Sequence, residues 1–462
     1  MKRGLLLTVF SCVTFFAFAS HLRCGYITAY KENCSSRAYT ITITVFTNTG
    51  SDVKFGGDGI LDFGDGASMV IPEAQTISRP DLGYNVGIAT FTINHTYSGP
   101  GHYLISYVEP NRNGGVINMN NSFFTLFYTE TLVNTDLCST PLFTAPPIFA
   151  GFSENSFNLA LGVTSKDDVQ VTYEIVTPFQ DRGVPVSGFI LPDGITLNYL
   201  TGLLSWNTEE SDFHHPGEYN FAVMAIQWIK DGETWHREQD MRVDFQVILG
   251  ADPLEKFVMH DNQLLDQYQR IAVAATEAKT IKVFYEIDNQ YQPELELFSA
   301  FPEEALSFTT YDSVSASSGK DIKVGKLIIS PGVDDIRTNG YVVTVRGSHV
   351  AGSGKVSSDL SYLVYTADEL PPLPNPIVTA TEDEVTTVQV YPNPAQDFLH
   401  INVAGGGSST VLIYSAQGTL LKSQRFENHT TMDTRNLPAG VYICDVRRNN
   451  VSVKKIKIIK SQ

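Results

Sequence analysis

The chain has 462 residues, a formal net charge of -18 and a sequence pI near 4.9, with 42% hydrophobic and only 18% charged residues. That length has room for three or four domains with real cores, and the acidity excludes a grip on phosphate backbones by counterion release, so nucleic acid is not an expected partner. Threonine, valine, isoleucine and aromatic residues outweigh lysine and glutamate, a balance that favours strands over helices.

Lys2 and Arg3 precede an apolar run, residues 4–18, and Ala17-Phe18-Ala19 closes it. Charged, apolar and small-x-small segments in that order predict a signal peptide over 1–19, cut to leave Ser20 first. Cys12 inside the run and Cys24 after His21-Leu22-Arg23 do not suit lipid attachment. No later stretch is long and apolar enough for a transmembrane span.

Residues 20–144 form a first predicted β-sandwich. The stretch 39–46 alternates apolar residues with threonine. The aspartates Asp58, Asp62 and Asp65 follow on a glycine-rich loop. Asp62-Phe63-Gly64-Asp65-Gly66, with His95-Thr96-Tyr97 and Pro100-Gly101-His102-Tyr103 downstream, resembles a PKD-type β-sandwich domain. In such a domain Gly64 and Gly66 make a tight hairpin, and His95 and Tyr97 pack beside it. Hard carboxylate oxygens on a loop are the right type for calcium, the one cofactor considered, although the spacing is not that of an EF-hand. Turn aspartates bonding their own backbone are the commoner explanation. Export permits a disulfide. Cys34 to Cys138 would staple the first strands to the exit of the domain, and Cys24 to Cys34 is the local alternative. No Cys-His cluster suggests zinc.

Residues 145–250 form a second predicted sandwich, with strands at 169–176, 195–200 and 219–226. Leu191-Pro192-Asp193-Gly194, Thr201-Gly202-Leu203-Leu204-Ser205-Trp206 and Pro216-Gly217-Glu218-Tyr219 resemble the cadherin-like immunoglobulin modules of bacterial surface proteins, with Trp206 buried. Asp231-Gly232 makes a hairpin across which Trp228 and Trp235 are expected to face each other. Tryptophans near a hairpin tip can stack on sugars, and they also cap cores. Asp212, His214 and His215 form the densest titratable group. Adjacent side chains on extended chain diverge, so they read as a solvated loop.

Residues 251–367 form a third predicted sandwich, a degenerate repeat of the second. Its strands fall at 281–287, 295–298, 306–311, 326–329, 341–346 and 360–365. The stretch 262–278 has some helical character, which Val273 and Thr276 oppose. Asp312-Ser313-Val314 resembles a short bacterial O-glycosylation sequon. Residues 368–387 form a linker stiffened by Pro371, Pro372, Pro374 and Pro376 and solvated by Glu382-Asp383-Glu384.

Residues 388–462 close the chain as a small β-domain. Tyr391-Pro392-Asn393-Pro394 ends a strand in a turn. Ile413-Tyr414 with Gly418 makes a hairpin, Leu437-Pro438-Ala439-Gly440-Val441-Tyr442 turns into a return strand, and a final strand carries Lys454, Lys455 and Lys457. From Thr387 on there are nine basic and four acidic residues, so a basic tail follows a strongly acidic body. These landmarks resemble the C-terminal sorting domain of type IX secretion cargo in the Bacteroidetes. The resemblance implies export to the extracellular space or outer surface, with the secretion machinery as the tail's partner.

Catalytic motifs are absent. There is no Gly-x-Ser-x-Gly or His-Glu-x-x-His, and Gly352-Ser353-Gly354-Lys355 lacks the upstream glycine and downstream hydroxyl of a phosphate loop. The sequence therefore predicts an all-β chain: tandem immunoglobulin-like β-sandwiches plus a small C-terminal β-sandwich. Its expected role is non-catalytic binding of a protein or glycan. A secreted hydrolase or its carbohydrate-binding component is the alternative.

Overall fold

The computed structural model describes residues 22–373 and 388–461, except 111, 153–155, 210, 233, 251–257, 262–264, 267, 288–290, 316–318, 352–353, 392–393, 396, 404–407, 416–419, 428 and 449–450. The expected signal peptide and most of the linker lie outside the described residues. Among these the chain is all-β, and its only helical elements are short 3-10 turns such as Ser122–Phe124. It divides into two compact units, Met1–Pro376 and Ile377–Gln462.

Alternation does its local work. Strand Ala38–Asn48 buries Tyr39, Ile41, Ile43 and Val45 in the first core, with Ile27, Phe55, Leu61, Tyr107 and Phe127. Each fully buried side chain of this kind stabilises by about 1.5–3 kcal/mol. Thr40 and Thr42 lie on the other face, bonded at 3.0 Å to Asn94 and Thr92 of strand Val86–Thr96. In the second core Trp206 is fully buried, 5.1 Å from the Tyr219 ring and 5.3 Å from Phe221.

The division expected near 144 does not separate the strands, and the one near 250 separates the sheets but not the core. Thr234–Gly250 pairs along one edge with Gly217–Asp231. Its other edge is shared in turn by Phe127–Asn134 at Asp240 and Met241, by Leu22–Tyr30 at Asp244 and Phe245, and by Phe149–Phe152 from Val247 on. One 12-stranded sheet thus runs through the first and second predicted sandwiches. A single core joins the second to the third, combining Phe157, Trp206 and Val247 with Ile281, Tyr285, Val345 and Tyr362. Period-two patterning fixes which face of a strand is apolar, not which strand lies beside it.

Buried ion pairs bolt these seams. Arg112 of the first segment donates two hydrogen bonds, 2.7 and 2.8 Å, to Asp244 of the second, and both side chains are 1% exposed. Arg242 meets Glu130 at 3.1 Å. Asp359 accepts from Arg346 and also from the Ala160 amide at 2.7 Å, tying the third segment to the second. Such pairs are costly to break from one side, because the remaining charge stays buried.

The third segment is a sandwich of two four-stranded sheets. Its 262–278 stretch holds no helix among the described residues. Arg270–Val273 is instead a strand, parallel to Gly354–Thr366. The C-terminal unit packs a three-stranded sheet against a four-stranded one over Leu399, Ile401, Val411, Ile413, Tyr442, Cys444 and Ile458.

Candidate functional site

The Gly217–Asp231 and Thr234–Gly250 hairpin turns at Asp231-Gly232, where Gly232 takes φ +58° with open space around it. A bulge between Gln227 and Trp228 resets the register, so Trp228 stands opposite Arg237 and Trp235 opposite Lys230. The tryptophans are therefore diagonal neighbours on one face, not the directly facing pair expected from sequence. Trp228 donates Nε1–H to Thr172 Oγ1 at 2.7 Å, which fixes its ring.

Both rings line one cleft of about 310 Å³. Its other walls come from far along the chain: Asp168, Thr338, Asn339, Tyr365, Pro371 and Pro372. Asp168 accepts from the Thr338 and Asn339 amides and the Asn339 side chain at 2.8–3.0 Å. Burial pushes its pKa up, but those bonds outweigh it and hold the carboxyl below its ordinary range. Tyr365 is 3% exposed, its hydroxyl has no hydrogen-bond partner, and burial pushes its pKa up to about 12. Arg270 holds the Pro371 carbonyl at 2.9 Å, so the start of the linker is a wall of the cleft. Sequence reading reached the tryptophans but missed Asp168, Asn339 and Tyr365, which no motif spacing connects.

The aspartates Asp58, Asp62 and Asp65 are not brought together as a calcium site. Asp62 accepts from the Gly64 amide and lies 3.3 Å from Arg182. Asp65 accepts from the Ala67 amide and meets His95 at 2.8 Å. No group of three acidic, histidine or cysteine residues suited to a metal occurs among the described residues. The turn is built by packing: His95 stacks on Phe63 at 4.1 Å, and Tyr97 donates to the Phe63 carbonyl. Gly64 at φ +82° is required there, since a Cβ would lie 2.6 Å from the Leu104 carbonyl. Below this loop Glu109 is fully buried, bonded to Tyr107 and the Gly56 amide, and burial pushes its pKa up to about 7.

Cys34 and Cys138 are joined by a disulfide, and Cys24 and Cys444 are buried thiols. His214 bonds the Ser211 carbonyl, while His215 is exposed on the loop before Gly217–Asp231. Ser313 is exposed on strand Leu306–Val314.

In the C-terminal unit Tyr391 ends strand Val388–Tyr391, opposite His400. Pro394 is exposed; Pro392, Asn393 and Gly418 lie outside the described residues. Gly440 opens strand Gly440–Arg448, on which Tyr442 is buried and donates to the Pro438 carbonyl at 2.7 Å. Lys454, Lys455 and Lys457 are exposed on the last strand, Val451–Lys460.

Residues 389–461 match the family described as the secretion system C-terminal sorting domain. The protein is exported to the extracellular space or the cell surface. No curated protein matches the chain. Among solved structures, the N-terminal eight Ig domains of Down Syndrome Cell Adhesion Molecule (DSCAM) isoform 1.30.30 align over 88% of this chain and 64% of that one. The identity is 10% and the TM-score 0.18, too low for anything further to follow.

Within the sorting domain, sequence reading missed Ala395. Its amide donates to the Ile459 carbonyl at 2.7 Å, and its carbonyl accepts from the Ser461 amide at 2.9 Å. Ala395, near the start of the sorting domain, is thereby tied to its final strand and to Ser461.

Proposed function

We propose that the protein is a non-catalytic binding protein of the cell exterior, delivered by its sorting domain, and that the cleft beside the hairpin takes a glycan. The observation that carries this is the convergence of Trp228 and Trp235 on one cleft, walled by Asp168, Thr338, Asn339 and Tyr365. Aromatic faces stack on the apolar faces of sugar rings, and a few convergent polar groups set orientation. Asp168 is the one carboxylate among the described residues of the lining, and its oxygens are already engaged by three N–H groups. Glycoside hydrolysis ordinarily uses two carboxylates flanking the bond, which weighs against the hydrolase reading.

The test is a glycan array followed by titration calorimetry on the full mature chain. Trp235→Ala and Trp228→Phe should each weaken the best glycan by at least about tenfold. A chain that binds no glycan, or variants that bind as well as the parent, would overturn the reading. Delivery is tested separately, by locating the chain with and without residues 388–462.

A further inference from the structure

The strand Leu306–Val314 ends its sheet: it pairs with Asp321–Ile329 on one side, and no described strand pairs with the other. Its register is unbroken from Leu306 opposite Ile329 to Val314 opposite Asp321. Just beyond each end, Ser330 N–H donates to the Ala305 carbonyl and Ser315 N–H to the Lys320 carbonyl. Antiparallel hydrogen bonding alternates, so the odd-numbered residues of this strand face the partner strand. The main-chain amides and carbonyls of Leu306, Phe308, Thr310, Asp312 and Val314 therefore point outward.

Long, flat, unguarded edges invite pairing, and proteins usually blunt them with lysine, proline, a bulge or brevity. Other edges here are treated that way. Ser68–Val70, Ile77–Ser78 and Val258–Asp261 are short. In the sorting domain Leu420–Glu427 carries Lys422 and Arg425, and Val451–Lys460 carries four lysines. Leu306–Val314 has nine residues, no proline, no bulge and no lysine, and Tyr311 and Val314 are 46% and 62% exposed. Its single charge, Asp312, is paired with Lys323 at 2.8 Å.

We propose that this edge pairs with the same edge of a second copy, antiparallel, with Thr310 on the two-fold axis. The parity allows it, because the outward-facing residues then meet one another: Thr310 with Thr310, Phe308 with Asp312, Leu306 with Val314. The residues between fall as Thr309 with Tyr311 and Ser307 with Ser313. Thr–Thr, Thr–Tyr, Ser–Ser and Leu–Val are favourable cross-strand pairs, and no like charges stand opposite. The closed two-fold leaves no further edge to grow from this strand. Each copy carries a net charge of -18, so self-association strengthens as salt screens the repulsion.

The test is sedimentation equilibrium of the unglycosylated full chain, with hydrogen exchange read at low and high protein concentration. The expected result is a dimer that tightens between low and high salt. The amides of Phe308, Thr310 and Asp312 should gain protection with concentration, while those of Thr309 and Tyr311 stay unchanged. Thr310→Pro removes only an outward N–H, and Thr310→Lys adds an edge lysine. Each should weaken dimerisation by at least about tenfold with the thermal unfolding of the body retained. If either variant misfolds, exchange on the parent chain still decides. A parent chain that stays monomeric, or a dimer whose outward amides exchange as fast as in the monomer, overturns the proposal. Protection that appears only when a foreign extended peptide is added would make the edge a strand-addition site for another protein, and would overturn self-pairing.

Discussion

The body and the sorting domain solve the same problem in opposite ways. In the body, segments that read as separate sandwiches share a sheet and a core, and arginine–carboxylate pairs such as Arg112–Asp244 are sealed at the seams. In the sorting domain every described strand finds its partner within the unit, the core is its own, and the Arg435–Asp433 pair is largely exposed. The contrast teaches that a delivery signal has to fold whatever cargo precedes it. A cargo whose seams are buried gains rigidity at the cost of modular independence.

Calorimetry is the sharpest way to break this comparison. The full chain should melt in separable steps for the two units, and deleting residues 377–462 should leave the body unfolding as one transition. Separate transitions for the segments 20–144, 145–250 and 251–367 would break it.

The largest mutational effect is expected at a seam. Arg112→Ala or Asp244→Ala strands a buried charge and should destabilise the body by about 3–5 kcal/mol, leaving the sorting-domain transition in place. Next comes Glu109. Its pKa rises from 4.5 to about 7 on folding, so the folded state holds the proton more tightly. The stability it contributes is fully present below pH 4.5 and is lost as the pH rises through 7. Parent and Glu109→Gln chains compared by denaturant unfolding from pH 4 to 8 should differ in this slope, by about 3 kcal/mol across the range. In the sorting domain Tyr442→Phe removes the bond to the Pro438 carbonyl. It should lower only that unit's transition, by about 1 kcal/mol. Arg435→Ala, at an exposed pair, should leave both transitions where they are.

Much of this was legible in the residues. Alternation at 39–46 marked the strand that buries Tyr39 and Ile41, the loop glycines marked the Asp62–Gly66 hairpin, and the Tyr-Pro-Asn-Pro and Leu-Pro-x-Gly-Val-Tyr landmarks marked the sorting domain. Trp228 and Trp235 were visible as candidates. Their common cleft was not, because Asp168, Asn339, Tyr365 and Pro371 arrive from segments 60 to 143 residues away from Trp228 in the chain.

The sequence by itself determined strand content, turn positions and the sorting signal, because these depend on side-chain period, on glycine and proline dihedrals and on short contiguous motifs. Only the tertiary structure decided that Thr234–Gly250 would share one edge among three strands, that Arg112 would meet Asp244, and that the start of the linker would wall the tryptophan cleft. Those outcomes depend on which surfaces bury one another. Strands with the same period satisfy many partners equally well, and long-range packing makes the choice.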